Sequence, residues 1–116
     1  MAKILIVDDD LRFRRALSIA LMAQGYQVSE AANGLEALDR MAANSVDVVL
    51  VDWRMPAMGG NETCRTIRAL SQVPIIVISA LDRHKEALAA GADAFFRKPL
   101  DTAALLARIE AGLAGH

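Results

Sequence analysis

The chain has 116 residues, which is enough for one domain built around one hydrophobic core. Hydrophobic residues make up 54% of the sequence, and this share argues against an intrinsically disordered chain. The formal net charge is −1, and the few aromatic residues (one Trp, one Tyr and three Phe) do not interleave with a basic stripe. We therefore expect neither direct nucleic-acid binding nor attraction to an anionic membrane.

Cysteine usage and hydropathy favour a cytoplasmic protein. Cys64 is the only cysteine, so no internal disulfide can form, and no Cys/His cluster suggests a zinc site. The first apolar strand begins almost at the N-terminus, with no signal peptide before it. No apolar run approaches the roughly 20 residues that a membrane-spanning helix needs.

The first strand–helix unit is the most regular part of the sequence. Lys3–Val7 is a continuous apolar run after the lysine and predicts a strand that is buried on both faces. Asp8–Asp10 end this strand and can cap a helix, in which Phe13, Leu17 and Leu21 recur every four residues. Gly25 follows this helix, whose other side carries three arginines expected to face water: Arg12, Arg14 and Arg15.

The rest of the chain continues the same alternation. Strands are predicted at Gln27–Ala31, which is half-polar and placed near an edge, at Val46–Val51, at Ile75–Ile78 and at Ala94–Phe96. Helices are predicted at Leu35–Ala43, at Asn61–Leu70, over a short stretch from about Asp82 to Ala90, and after the capping residue Asp101. Five strand–helix units in series indicate an α/β domain with a parallel sheet and helices on both of its faces.

Polar residues follow the apolar strands at four places, with Asp8 and Asp9, then Asp52, then Ser79 and then Lys98. Because the carboxyl ends of parallel strands meet at one edge of the sheet, these side chains should share a crevice. Crowded carboxylates suit Mg²⁺, which prefers oxygen ligands, and a carboxylate beside the metal can attack phosphorus. A lysine and a hydroxyl can then contact the phosphoryl oxygens.

Each of these residues has an ordinary explanation when it is taken alone. Asp8–Asp10 could be only a helix start, Asp52 a loop residue, Ser79 an uninformative hydroxyl and Lys98 a solvated turn residue. Their occurrence at successive strand ends, in one order, makes these separate explanations improbable when combined. The combination therefore favours a site that binds a divalent cation and a phosphoryl group.

At this point the chain resembles the receiver domains of bacterial two-component response regulators. The resemblance covers essentially all of the sequence, and its carrying segments are KILIVDDD, DVVLVDWRMPAMGG, VPIIVISA and GADAFFRKPL. It implies a flavodoxin-like three-layer (βα)5 sandwich with a parallel sheet of strand order 2-1-3-4-5. It also implies that residues 1–116 form a single receiver domain with no output domain present.

The resemblance assigns the metal and acceptor residues one by one. Asp52 matches the aspartate that accepts the phosphoryl group, and Asp9 matches the acid that binds Mg²⁺ directly. Asp8 matches its partner acid, and the backbone carbonyl of Arg54 matches the remaining protein ligand. Mg²⁺ is the implied cofactor.

Three further positions match residues that respond to the phosphoryl group. Ser79 matches the switch hydroxyl, and Lys98 matches the family's lysine, with a cis bond to Pro99. Phe95 matches the aromatic switch position, although the sequence alone favours a plain core or surface-edge aromatic there. The segment from Ala80 to Gly91 is about three residues shorter than the common family pattern, so the fourth helix should be short or displaced.

The resemblance implies a phosphorylation-dependent signalling switch rather than an enzyme with a separate substrate. The implied phosphodonor is a phosphohistidine on a sensor histidine kinase or a histidine phosphotransfer protein. The receiver of the signal would be a downstream effector or a missing output domain, and a phosphorylation-dependent homodimer is also compatible. Beyond its own phosphorylation and dephosphorylation, no catalysis is expected.

Three other functions are compatible with parts of this sequence pattern. A phosphorylation-independent protein-interaction module on the same fold is the alternative that the short fourth helix keeps open. A hydrolase of the aspartate-nucleophile phosphatase type would need a second aspartate two residues after Asp52, where Arg54 stands. A dinucleotide-binding domain would need a glycine-rich turn after Val7, and the three aspartates occupy that position instead.

Overall fold

The computed structural model describes residues 2–55 and 58–114, in which strands and helices alternate along the chain. The strands are β1 (Lys3–Val7), β2 (Gln27–Ala31), β3 (Val48–Asp52), β4 (Ile75–Ser79) and β5 (Ala94–Arg97). The helices are α1 (Leu11–Ala23), α2 (Gly34–Ala43), α3 (Gly60–Leu70), α4 (His84–Ala89) and α5 (Thr102–Ala114). None of the helices in these ranges is long and apolar enough to cross a bilayer.

The five strands form one parallel sheet in the order β2-β1-β3-β4-β5. The predicted α/β fold, flavodoxin-like with strand order 2-1-3-4-5, is therefore confirmed. The order reverses between β1 and β3, because the chain first adds β2 on one side of β1 and then crosses to the other side. This reversal leaves the carboxyl ends of β1 and β3 next to each other at a crevice, which is where α/β sheets bind ligands.

Two hydrophobic clusters cover the two faces of the sheet, since successive side chains of a strand point to opposite faces. On one face, Leu5 and Val49 pack with residues of α2, α3 and α4, including Ala37, Ile67 and Ala87. On the other face, Ile6 and Leu50 pack with residues of α1 and α5, including Leu17, Leu21, Leu105 and Ile109. The central strands are buried on both sides, which explains their continuous apolar sequences.

Strand β3 differs from the prediction at both ends, beginning at Val48 rather than Val46 and including Asp52. Its start is set by Asp47, whose backbone N–H donates to the Lys3 carbonyl at 2.8 Å and whose carboxylate accepts the Lys3 N–H at 2.8 Å. These reciprocal bonds join the loop before β3 to the beginning of β1. Strand β3 therefore begins at Val48, immediately after the residue that makes these bonds.

Helix α4 has six residues, which confirms the prediction of a short fourth helix and trims its expected bounds. Gly91 ends it with a φ of +107°, a conformation that residues with a Cβ rarely adopt. The following N–H of Ala92 donates to the Ala87 carbonyl at 3.0 Å. The chain therefore turns into β5 immediately after less than two turns of helix.

Arg68 joins the loops at the amino-terminal edge of the sheet. Its guanidinium donates to the carbonyls of Gly91, Ser71 and Val73 at 2.9–3.1 Å and to the Asp93 carboxylate at 2.8 Å. The same Asp93 oxygen accepts the backbone N–H of Ile75, also at 2.8 Å. All five N–H groups of this arginine have an acceptor, so the charge at this edge is matched by fixed partners.

Candidate functional site

An acidic cluster lies at the carboxyl ends of β1 and β3. Val7 pairs with Val51 in the sheet, so the residues that follow them, Asp8 and Asp52, are neighbours across the two strands. Carboxylate oxygens of Asp8, Asp9 and Asp52 all lie within 4.8 Å of one another. Asp8 and Asp52 are buried, with 2% and 8% of their surface exposed, whereas Asp9 is exposed to solvent.

Capping of helix α1 sets the shape of this acidic loop. The Asp10 carboxylate accepts the backbone N–H groups of Arg12 and Phe13 at 3.0 and 3.2 Å, which begins the helix one residue later. The Asp8 carboxylate accepts the N–H of Asp10 at 2.9 Å. Of the three successive aspartates, Asp10 therefore caps helix α1, whereas Asp8 and Asp9 belong to the acidic cluster.

Burial, and after it the crowding of like charges, raises the pKa values of the two buried carboxyls. Burial, with repulsion from the Asp8 carboxylate, raises the pKa of Asp52 from 3.8 to about 7, although the Lys98 ammonium opposes the rise. Burial also raises the pKa of Asp8, against the N–H of Asp10 and the same ammonium. A second positive charge in this crevice would remove much of the repulsion that these shifts express.

Lys98 brings its positive charge to this cluster from the far side of β4. Its Nζ lies 3.3 Å from the Asp8 Oδ2, and its side chain is 22% exposed. Its backbone N–H donates to the Ser79 carbonyl at 2.8 Å, which anchors the loop after β5 to the end of β4. The Lys98–Pro99 bond is cis, as the resemblance implied.

Ser79 is the last residue of β4. Strand β3 pairs with β4, and Asp52 lies opposite Ile78, so Ser79 follows directly beside Asp52. The side chain is fully buried, and its Oγ accepts the backbone N–H of Leu81 at 3.1 Å. A hydroxyl can donate while it accepts, so this bond fixes the oxygen and leaves the proton for another acceptor. The structure thus brings Asp8, Asp52, Ser79 and Lys98 to one edge, as predicted.

Arg54 lies at the mouth of the crevice. Together with Asp9, Trp53 and Met55 it lines a cavity of about 390 Å³ beside the acidic cluster. A hydrogen bond from the Arg54 backbone N–H lowers the pKa of Asp52, but burial raises that pKa by more. Asp9, from the loop after β1, and Arg54, from the loop after β3, therefore line the same cavity.

Phe95 lies apart from the acidic cluster. It pairs with Val77 in the sheet, two residues before Ser79, and packs partly buried against the cluster that includes α4 residues. Its ring stacks on His84 at the start of α4, with centroids 5.8 Å apart and planes at 30°. The short fourth helix thus places a histidine against the predicted switch aromatic, and the role of Phe95 stays a prediction.

Arg14 is a correction to the sequence analysis, which expected it to face water. Its side chain is only 11% exposed, and its Nη1 donates to the Asp8 carbonyl at 2.7 Å. Its Nε pairs with the Glu30 carboxylate at 2.8 Å. Because helix α1 packs along β1 and β2, an arginine one turn into the helix reaches the acidic loop, and the half-polar β2 was the signal for it.

Gly60 is a second residue that the sequence analysis did not assign. Its N–H donates to the Trp53 carbonyl at 2.9 Å, which docks the start of α3 on the end of β3. A Cβ at this position would lie 2.5 Å from the Trp53 Cα and 2.7 Å from the Asp52 carbonyl oxygen. The glycine is therefore required by the close approach of two backbones beside Asp52.

Comparison with known proteins shows which family the chain matches. The response regulator receiver domain family matches residues 4–110 of the chain. Response regulator MprA from Mycobacterium sp. (strain KMS) is 42% identical over 113 residues, covering 94% of this chain and 49% of that protein. The chain thus spans about half the length of the curated relatives it matches.

Solved structures agree with this match. A two-component response regulator from Clostridium difficile has a TM-score of 0.94 at 27% identity, covering 98% of this chain and 97% of that one. TrrA from Thermotoga maritima, solved in complex with Mg²⁺–BeF, has a TM-score of 0.90 at 30% identity, covering 97% of this chain and 100% of that one.

The fold and the acidic edge therefore define a parallel α/β signalling domain. The chain belongs to the response regulator receiver domain family, and it is a receiver domain of two-component signalling.

Proposed function

We propose that this receiver accepts a phosphoryl group on Asp52, in a Mg²⁺-dependent reaction, and changes its partner-binding surface in response. The observation that carries the proposal is the cluster of Asp8, Asp9 and Asp52 oxygens within 4.8 Å, with the Lys98 ammonium 3.3 Å from Asp8. Three carboxylates beside one ammonium leave an excess of negative charge. A cation and a phosphoryl group together would complete this set.

The residues present fit Mg²⁺. The donor set consists of oxygens alone, and the carboxyl pKa values are raised where a dication would stabilise the ionised forms. Asp8, Asp9, Asp52 and the Arg54 carbonyl would hold the ion. When bound, Mg²⁺ would neutralise the charge that develops on the transferred phosphoryl oxygens.

The transfer itself belongs to Asp52. A carboxylate oxygen of Asp52 forms a bond to the phosphorus of a phosphohistidine, the P–N bond breaks, and the imidazole leaves with the electron pair and takes up a proton. The Lys98 ammonium and the Ser79 hydroxyl contact phosphoryl oxygens. In the separate dephosphorylation step, water attacks phosphorus, the bond to the Asp52 oxygen breaks, and inorganic phosphate leaves.

Movement of Ser79 toward the phosphoryl group would transmit the state of Asp52 to the surface of α4 and β5, where Phe95 packs. The donor would be a sensor histidine kinase or a histidine phosphotransfer protein in the cytoplasm. The recipient would be an effector protein, an output domain or a second receiver. No separate substrate is converted, so we do not class the domain as an enzyme.

Intact mass spectrometry with a small-molecule donor tests this proposal. Incubation with acetyl phosphate and Mg²⁺ should add ~80 Da to the parent, the mass of one phosphoryl group. Asp52→Asn should gain nothing, whereas Asp39→Asn, which makes the same change at an exposed carboxylate on α2, should behave like the parent. The gain should disappear in EDTA.

A different result would favour the phosphorylation-independent interaction module. If neither the parent nor Asp39→Asn gains mass under conditions in which both remain folded, the acidic edge does not carry phosphoryl transfer. A gain that persists in Asp52→Asn would place the acceptor elsewhere and would also overturn the proposal.

A further inference from the structure

The Lys98 ammonium contacts an aromatic ring as well as a carboxylate. Its Nζ lies 4.0 Å from the centroid of the Phe13 ring, over the ring face, and 3.3 Å from the Asp8 Oδ2. The first distance is within the range of a cation–π contact and the second within that of an ion pair. The lysine is thus held between a carboxyl group and the face of an aromatic ring.

The position of Phe13 is set by the same turn that shapes the acidic loop. The Asp10 cap accepts the Phe13 backbone N–H at 3.2 Å, which fixes this residue in the first turn of α1. The side chain is half-buried and packs against the cluster that contains Leu17. The Asp8 carboxylate and the Phe13 ring therefore both belong to the turn that begins α1, and both contact the same ammonium.

The two contacts of Lys98 respond differently to a cation. Attraction between Lys98 and Asp8 depends on the negative charge of Asp8, and a dication shared by Asp8 would offset that charge. Attraction to the ring comes from the quadrupole of the π system and does not depend on Asp8. The ring contact is therefore the one that persists when the acidic cluster is filled.

We propose that Phe13 is a positioning residue for Lys98, whose ring face holds the ammonium at the acidic edge when Asp8 is engaged by a cation. This inference rests on the proposed function, in which Lys98 contacts the phosphoryl group. A phenyl ring offers no oxygen ligand to a metal ion and no hydrogen-bond donor to a phosphoryl group, so Phe13 would act through Lys98. A leucine at position 13 would keep an apolar side chain against the core and remove the π face.

The first test needs no metal and no phosphate. In NMR spectra of the metal-free protein, the ring should shift the ε-methylene protons of Lys98 upfield of those of the exposed Lys3 and Lys85, which serve as internal references. Phe13→Leu should move the Lys98 signal to the range of the other two lysines. Phe13→Tyr, which keeps an aromatic ring, should retain the upfield shift of the parent. An unshifted Lys98 signal in the parent, or a shift that survives in Phe13→Leu, would overturn the contact.

The second test measures the rate of phosphorylation by acetyl phosphate at saturating Mg²⁺. Phe13→Leu should lower the maximal rate about two- to five-fold, the range expected for a partly exposed cation–π contact, with Phe13→Tyr close to the parent. The half-saturating Mg²⁺ concentration should stay the same. A graded series of fluorinated phenylalanines at position 13 should lower the rate in the order of decreasing π-face potential.

The two tests separate the inference from the proposed function. If Phe13→Leu loses the Lys98 shift but reacts as fast as the parent, the ring does not position the lysine for transfer and the inference is wrong. If the parent itself gains no phosphoryl group, the proposed function fails, and the positioning role fails with it. The NMR result would then describe only a structural contact.

Discussion

The two edges of the sheet handle charge in opposite ways. At the amino-terminal edge, the Arg68 guanidinium meets one carboxylate, Asp93, and fixed backbone carbonyls, so that each N–H has an acceptor. At the carboxyl-terminal edge, three carboxylates meet one ammonium, that of Lys98. The first set is complete within the protein, while the second has an excess of negative charge.

This difference separates stability from function within one small domain. A partly exposed guanidinium with an acceptor for each N–H holds neighbouring loops together, and removing it leaves several carbonyls and a carboxylate without a donor. A buried cluster of like charges destabilises the fold and stores that energy until a cation or a covalent modification relieves it. We therefore expect substitutions at the amino-terminal edge to weaken the fold, and neutralisation at the carboxyl-terminal edge to strengthen it.

Removing the guanidinium at the amino-terminal edge should have the largest effect. Arg68→Ala leaves the Asp93 carboxylate and three carbonyls without their donor and should lower the free energy of unfolding by about 3 kcal/mol. Urea denaturation followed by circular dichroism measures this change. Phosphorylation of the fraction that remains folded should be unaltered.

Arg65→Ala is the matched control for this substitution. Arg65 lies on the same helix and is exposed, with its Nε bonded to the Asn61 side chain one turn earlier at 2.7 Å. The expected change is below about 0.5 kcal/mol. Equal losses for the two variants would show that helix α3, and not the Arg68 network, accounts for the effect.

Neutralising Asp52 should stabilise the metal-free protein by about 2–3 kcal/mol at pH 8. The pKa of Asp52 is about 7 in the folded state against 3.8 for the ordinary carboxyl, so ionisation opposes folding by up to roughly 4 kcal/mol, which solvent screening at the open crevice reduces. Asp52→Asn removes that charge while keeping the shape of the side chain. Urea denaturation in EDTA measures the gain, and an unchanged or lower stability would contradict the strained acidic edge.

The same pKa shift predicts a pH dependence with a definite sign. Because the folded state binds the Asp52 proton more tightly, the parent should lose stability relative to Asp52→Asn as pH rises from about 4 to about 7. The difference between the two proteins should be small at pH 4 and constant above about pH 8. Unfolding curves at one-unit intervals test this, and a gap that narrows with rising pH would refute the assignment.

The parts of this molecule that follow local rules could be predicted from the sequence. Continuous apolar runs mark the central strands because both faces of those strands are buried. The end of each run marks the end of a strand, so the positions of the acids at the sheet edge could be predicted as well. The contacts of Arg14 with Asp8 and of Phe13 with Lys98 could not be predicted in the same way. They depend on how α1 lies across the sheet and on how far β5 reaches, neither of which is written in a local pattern.

Gly60 shows a second limit of sequence reasoning. A glycine pair before a helix is compatible with a loose turn, but the structure needs Gly60 for the approach of α3 to the backbone of Trp53. Only the three-dimensional arrangement distinguishes the two explanations. The same holds for Asp10, whose capping role separates it from the adjacent acids Asp8 and Asp9.

Filling the acidic edge should have the smallest effect on stability. At pH 8, Mg²⁺ at about ten times its dissociation constant should raise the free energy of unfolding of the parent by about 1.4 kcal/mol, because it binds the folded state alone. The gain should be smaller in Asp52→Asn, which lacks one carboxylate ligand, and unchanged in Arg65→Ala. Trp53, at the rim of the same cavity, should report the binding through its fluorescence. Equal stabilisation of the parent and Asp52→Asn would place the ion outside the cluster, and the contrast between the two edges would then have no bearing on metal binding.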